Sequence, residues 1–233
     1  PVTLPGYAEV AIGMELLEQS RQESLNLAHK AGVSFRSAMD QQRVANESRV
    51  DEGMTSARLI EQAHYSDIVV MGQSNPGDVN DISTGLVDQV IMACGRPVMV
   101  IPYIGAQAKI GQRILLAWNG TREAVRALHD AMPLLQSAEE VIVMTVNSND
   151  TDEHIPGADI SLHLARHNIN ATVNSTVSKN IDIGDTLLSR ASDHSADCIV
   201  MGAYGHSRFR EMIMGGATRH LLQHMTVPVL MSH

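Results

Sequence analysis

The chain has 233 residues, 44% of them hydrophobic and 18% charged, which is the balance of an ordinary globular protein with room for one large or two small domains. Its 17 basic and 26 acidic residues leave a net charge of −9, which argues against nonspecific nucleic acid or anionic membrane partners, since both select basic patches. No apolar run approaches the roughly 20 residues that span a bilayer, no signal peptide is expected, and Cys94 and Cys198 lie in apolar settings that suit buried, reduced thiols in a cytoplasm rather than a disulfide framework.

In chain order, residues 1–6 read as a turn, punctuated by Pro5 and Gly6. The spacing of Ile12, Leu16, Leu17, Leu25 and Ala28 predicts a helix over 9–31, with Gly32 as its stop. Residues 33–39 alternate in polarity and predict a strand. Met54, Ala57, Leu59, Ile60 and Ala63 predict a helix over 51–65. A buried strand at 68–71, a helix at 85–93 and a strand at 98–101 follow. Residues 113–118 predict the next strand, 119–121 a turn, and Thr121 a helix start, with the helix ending near 131 before Pro133. Next come a strand at 141–146, a polar loop at 147–157, a helix at 160–166, a strand at 171–177 and a helix at 185–194. A strand at 198–201, a glycine-containing loop, a helix carrying Leu221, Leu222 and Met225 on one side, and a strand at 229–231 close the chain. Strands alternating with helices in this way predict a parallel α/β sheet with helices on both faces.

Part of this pattern occurs twice. Asp67-Ile-Val-Val-Met-Gly72 matches Asp197-Cys-Ile-Val-Met-Gly202 at an offset of 130 residues, and at the same offset His64 meets His194 and Gly85 meets Gly215. One residue out of that register, the Pro97-led strand meets the Pro228-led strand. We read two copies of one α/β domain, over residues 1–104 and 111–233, with the first lacking a counterpart of 113–146, the β-α-β opening of the second.

The stretch after the strand at 198–201 holds the chemistry. Gly202, Gly205, Gly215 and Gly216 lie between a strand end and a helix start, where glycine lets the backbone bend sharply and approach a ligand. Free N–H groups at a helix N-terminus, with the helix dipole, suit an anion such as phosphate. Neither the Walker pattern nor the tight dinucleotide pattern is present, because no Lys-Ser or Lys-Thr follows and the spacing differs. The competing reading is that the glycines only cap a strand and a helix.

Gly202-x2-Gly205-x9-Gly215 followed by a small residue resembles the nucleotide loop of the universal stress proteins. That family usually has Ser or Thr directly after the third glycine; here Gly216 stands there, and Thr218 comes two residues later. The resemblance implies tandem Rossmann-like domains of the adenine-nucleotide α-hydrolase type, and ATP, with magnesium, as the ligand of the second domain. The last strands of the two copies would pair as a pseudo-dimer within the chain, with a homodimer as a further assembly. It implies nucleotide-binding roles for Ala117, Trp118, Asn119, Val146, Met201, Gly202, Gly205, His206, Arg208, Gly215, Gly216, Ala217 and Thr218. Asn119 takes the place of an Asp that meets adenine in nucleotide-binding members, and its carbonyl oxygen can accept a hydrogen bond from the exocyclic amine. Trp118 either shields the base pocket, obstructs it or simply packs.

Arg208, Arg210 and Arg219 oppose Glu211 in the second loop, whereas the matching first-copy stretch carries Asp78, Asp81 and Asp88 and no basic residue. A polyphosphate is therefore expected in the second copy only, unless the arginines form a solvated loop face. His163 and His167 stand at i, i+4 and could pair on a metal, but without a zincin Glu or a nearby Cys or carboxylate cluster they read as surface residues. With no nucleophile motif, no catalytic residue and no metal site are assigned; slow ATP hydrolysis is the most that is expected. The alternative is a non-nucleotide member acting as a structural or interaction module. An adenylating enzyme of the related folds would need an added catalytic domain, and no region is spare for one.

Overall fold

The structure, a computed structural model, describes residues 6–75, 77, 85–105, 109–146, 158–178, 182–205 and 216–233. The chain forms two compact units, Pro1–Met54 and Thr55–His233.

In the first unit, helix α1 (Gly6–Gln41) runs through the segment predicted as a strand and past the predicted stop at Gly32. A lone glycine costs a helix only about 1 kcal/mol, and the flanking Lys30, Ala31, Ser37, Ala38 and Met39 tolerate helix well. The stop lies instead at Arg43, which takes a left-handed φ of 57°, while Val44 N–H bonds the Met39 carbonyl at 2.9 Å. Val33 and Phe35, whose alternation suggested a strand, are both exposed. Arg21 holds Glu52 bidentately, Nε to Oε2 at 2.7 Å and Nη2 to Oε1 at 2.9 Å, which ties the stretch after α1 back to the helix.

The second unit follows the predicted order. It comprises α2 (Thr55–Ala63), β1 (Val69–Gly72), α3 (Leu86–Ala93), β2 (Val98–Ile101), β3 (Arg113–Ala117) and α4 (Arg122–Asp130). Then come α5 (Met132–Ser137), β4 (Glu140–Val146), α6 (Ala158–Arg166), β5 (Ala171–Thr176), α7 (Ile183–Asp193), β6 (Cys198–Gly202), α8 (Ala217–His224) and β7 (Val229–Ser232). The short α5 was not anticipated, because Pro133 read as a breaker; it sits in the first turn, where proline is tolerated.

The strands form one seven-stranded sheet in the order β1-β2-β7-β6-β3-β4-β5. All neighbours run parallel except β2 and β7, which pair antiparallel with Val98 opposite Met231 and Val100 opposite Val229. The Pro97-led and Pro228-led strands are thus joined edge to edge within one chain.

Alternate residues of the buried strands face opposite layers, as a parallel sheet covered on both sides requires. Leu115, Ile142, Ile199 and Val229 pack with α3, α7 and α8; Ile114, Val141, Val200 and Leu230 pack with α4, α5 and α6. The edge strand β1 is covered on one side only: Val70 is 63% exposed, whereas its repeat counterpart Val200 is fully buried. Polar contacts lock the repeated segments together. Gln73 Nε2 donates to the Leu222 carbonyl at 3.0 Å, Arg126 Nη2 to the Gly95 carbonyl at 2.8 Å, and the Tyr204 hydroxyl to Asp88.

Both cysteines are buried and unpaired. Burial, with the adjacent Asp197 charge adding, pushes the Cys198 thiol up to about 12, so it is an inert core residue. None of the described helices is long and apolar enough to cross a membrane.

Candidate functional site

From β3 the chain moves outward through β4 to β5, then crosses back to place β6 on the other side of β3. Open parallel sheets bind ligands beyond the carboxyl ends of their strands at such a reversal. A cavity of about 390 Å³ lies there. Its size is within the usual range for small-molecule sites.

The cavity brings together most of the expected residues. Ala117, Trp118 and Asn119 come from the end of β3, Val146 from the end of β4, and Met201 and Gly202 from β6. Gly205, Gly216, Ala217 and Thr218 are further expected residues along its wall. His206, Arg208 and Gly215 lie outside the described residues, as do Arg210, Glu211, Asp78, Asp81 and the loop at 147–157. Thr121, Met144, Ile183 and Leu187 also line the cavity but were not expected there. Met144 could have been found, because it lies two residues before Val146 and so shares its face. Ile183 and Leu187 arrive with the first turns of α7, which no local pattern places over the strand ends.

The walls divide by character. Ala117, Met144, Val146, Ile183 and Leu187 make an apolar end against the strand carboxyl ends. Trp118 is half-buried, packing into the layer beneath α4 while also lining the cavity.

The other end is the start of α8. Three helices begin at the cavity, and two are closed by side chains. The Thr121 hydroxyl caps α4 by accepting from Ala124 N–H at 3.4 Å, and Asp182 caps α7 by accepting from Gly184 N–H at 2.7 Å. Helix α8 starts at Gly216 without a side-chain cap. Its first N–H groups find no acceptor among the described residues. The Thr218 side chain is buried and its oxygen accepts from Tyr204 N–H at 3.2 Å, which fixes the loop to the helix.

Two glycines act through packing. A Cβ at Gly202 would lie 2.4 Å from the Glu123 carbonyl carbon and 2.5 Å from Ala124 N. A Cβ at Gly205 would lie 3.0 Å from Glu123 Oε2. Both therefore let the β6 end and the following loop rest on the first turn of α4. Glu123 is buried beneath them. Burial works to raise its carboxyl, but its own N–H, the Thr121 hydroxyl and the Arg122 charge together hold it below its ordinary value.

Asn119 departs from expectation. Its carbonyl oxygen already accepts from Thr121 N–H at 3.2 Å and from the Thr121 hydroxyl at 2.9 Å, closing the turn into α4. The acceptor expected to meet an exocyclic amine is thus turned toward the protein.

His163 and His167 are neighbours, with ring centroids 4.8 Å apart, and His129 stands 5.6 Å from His163 on the other side. No group of three or more His, Cys, Asp or Glu side chains among the described residues could hold a metal. His163 Nε2 is buried without a hydrogen-bond partner among the described residues. Burial first, then His167, His129 and Arg166, lowers the His163 pKa from its ordinary 6.5. The depressed folded value means that its contribution to stability is complete above the unfolded pKa and is lost as pH falls through the folded one. Melting temperature should therefore drop more steeply between about pH 7 and pH 5 in the wild-type chain than in His163→Gln, with equal slopes counting against this role.

Comparison with known proteins bears on family and fold. Residues 111–233, more than half of the chain, match the universal stress protein family. A curated relative, Universal stress protein Slr1230 of Synechocystis sp., is 21% identical over 240 residues, covering 94% of this chain and 80% of its own. The crystal structure of a universal stress protein from Archaeoglobus fulgidus superposes with a TM-score of 0.69 at 17% identity, covering 99% of this chain and 80% of that one, a likeness of fold. A universal stress protein solved in complex with cAMP matches 52% of this chain and 97% of its own at 18% identity, with a TM-score of 0.39. With an open, mostly parallel α/β sheet, a crevice at its strand reversal and the family's pattern over its C-terminal half, the chain belongs to the universal stress protein family.

Proposed function

We propose that this chain is a cytoplasmic regulatory member of the family that binds an adenine nucleotide, ATP, in the crevice of its second copy. The observation that carries this reading is the uncapped start of α8 facing a cavity whose other end is apolar. An aromatic base would bury against Ala117, Met144 and Val146, and a phosphate would accept hydrogen bonds from the N–H groups of Gly216, Ala217 and Thr218, which have no acceptor among the described residues. The reading includes two tandem domains, 1–104 and 111–233. Signalling would follow from occupancy, which shifts the chain between states that differ in shape or in the partner they bind. Hydrolysis is no part of it beyond a slow background rate.

Trp118 is the chain's single tryptophan and lines the cavity, so its fluorescence reports binding directly. ATP should quench or shift it with a Kd below about 1 mM. Ala217→Asp puts a carboxylate in the first turn of α8, where it suits the helix but repels phosphate. It should weaken ATP about tenfold or more and leave adenosine within about twofold. Absence of any response to millimolar ATP would defeat the reading and favour the interaction-module alternative.

A further inference from the structure

We infer that occupancy of the crevice is passed to the first copy through Tyr204, whose hydroxyl ties the loop beside the site to the start of α3. This rests on the nucleotide reading above and adds to it the route by which binding is reported.

Tyr204 stands between Gly202 and Gly205, which both line the cavity. Its φ of 57° is left-handed. A residue with a Cβ pays for that conformation, and side chains other than those of Asn and Asp seldom adopt it. Contacts on two sides hold it there. Its backbone N–H donates to Thr218 Oγ1 at 3.2 Å, in the first turn of α8. Its ring packs on the core layer that α3 and α8 share, and meets the His233 ring edge-on with centroids 6.5 Å apart. His233 Nδ1 lies 3.0 Å from the Ala203 carbonyl. A carbonyl only accepts, so this nitrogen carries the proton and pins the loop one residue before Tyr204. The Tyr204 hydroxyl then donates to Asp88, in the first turn of α3.

The internal repeat shows what that bond joins. At the offset of 130 residues Thr218 corresponds to Asp88. Tyr204 therefore holds both members of an equivalent pair, one with its backbone and the other with its side chain. A connection in the opposite sense stands beside it. Gln73, which corresponds to Ala203 at the same offset, is buried, accepts from Tyr103 N–H at 3.1 Å and donates to the Leu222 carbonyl at 3.0 Å, in the last turn of α8. The loop after β6 is thus bonded to α3, and the loop after β1 to α8.

These crossed bonds place the sensing element and the responding element in different copies. Among the described residues α3 contributes nothing to the cavity lining, so a change there on binding has to be transmitted. A phosphate at the first turn of α8 steadies the turn that carries Thr218, and with it the Tyr204 backbone. The phenol is rigid beyond its two side-chain torsions, so steadying the backbone steadies the hydroxyl and the α3 turn it holds. Coupling of this kind is a difference in free energy between the free and occupied states, read at a second place.

Hydrogen exchange by mass spectrometry on the full chain, with and without ATP at a concentration that saturates Trp118 fluorescence, tests the route. Helix α6 is the reference, since it neither lines the cavity nor takes part in the crossed bonds. ATP should slow exchange in α3 at least about threefold more than in α6 in the wild type. In Tyr204→Phe, which keeps the ring, and in Asp88→Ala, which removes the same bond from its other end, that excess should fall below about 1.5-fold. A merely structural bond would speed α3 exchange in both variants with and without ATP, but would leave the response to ATP intact. An unchanged response in both variants, or no excess in the wild type, overturns this inference while leaving the nucleotide site standing. Loss of ATP binding in both variants overturns it too, by making the bond part of the site's own scaffold. Failure of the wild type to bind ATP overturns the inference together with the reading beneath it.

Discussion

Gly202→Ala is expected to destabilise the second unit by about 3 kcal/mol, and Gly72→Ala by less than about 0.5 kcal/mol, although the two glycines end the same repeated motif. The added methyl at 202 would meet backbone, 2.4 Å from the Glu123 carbonyl carbon and 2.5 Å from Ala124 N, and also the Glu123 Cβ at 2.8 Å. Backbone cannot rotate away as a flexible side-chain tip can. The first turn of α4 is held by the Thr121 cap and by Ala124, Ala127 and Leu128, all buried beneath it. Either β6 retreats from α4 or α4 tilts, and close-packed interiors resist both. At Gly72 the same methyl would meet nothing within 4 Å. Urea unfolding of the three proteins, followed by far-UV circular dichroism, checks this. Matching midpoints for Gly202→Ala and wild type would show that the contact relaxes at no cost. The result also governs how ligand data are read, because loss of nucleotide binding in Gly202→Ala would follow from a displaced helix without any contact between Gly202 and phosphate.

The contrast between these glycines shows what a sequence discloses and what it hides. The strands of the second unit were legible because each is a short apolar run between turn signals, and a parallel sheet buries both faces of such runs. The joining of β2 and β7 was an implication of the family resemblance, but its antiparallel sense was not read from the sequence, whose strand–helix alternation pointed to a wholly parallel sheet. The strand ends of the crevice, Ala117 to Asn119, Val146 and Gly202, were legible for the same reason: they are where apolar runs stop. Ile183 and Leu187 were not, because only the three-dimensional path of α7 brings them over those ends. Residues 33–39 were misread because alternation alone does not distinguish a strand from an exposed helix whose polar and apolar residues are mixed. Asn119 is a subtler case. Its position was legible, but the direction of its oxygen depends on Thr121 two residues on, whose backbone N–H engages that atom in the turn.

The second large effect is expected at Asp197, the first residue of the motif that Gly202 ends. Asp197→Ala should cost about 3 kcal/mol, whereas Asp67→Ala should stay within about 0.5 kcal/mol of wild type. The Asp197 side chain is 6% exposed and accepts three backbone N–H groups, from Gly111 at 2.8 Å, Gln112 at 2.9 Å and Arg113 at 3.3 Å. Its own N–H returns to the Arg113 carbonyl at 2.9 Å. One carboxylate therefore fastens the entry to β3 onto the start of β6, the two strands between which the sheet reverses direction. Hydrogen bonds to a charged acceptor contribute about 1.5–3 kcal/mol each, but water can replace part of the loss at exposed Arg113, so the three do not simply add. Asp197→Asn should recover little, because both carboxylate oxygens are used and the amide would turn an N–H₂ toward a backbone donor. Asp67 opens the edge strand's repeat, where it is exposed, and among the described residues no chain segment occupies the place that 111–113 takes beside Asp197. Equal unfolding midpoints for Asp197→Ala and Asp67→Ala would mean that the entry to β3 is held by strand pairing alone and that the carboxylate is dispensable.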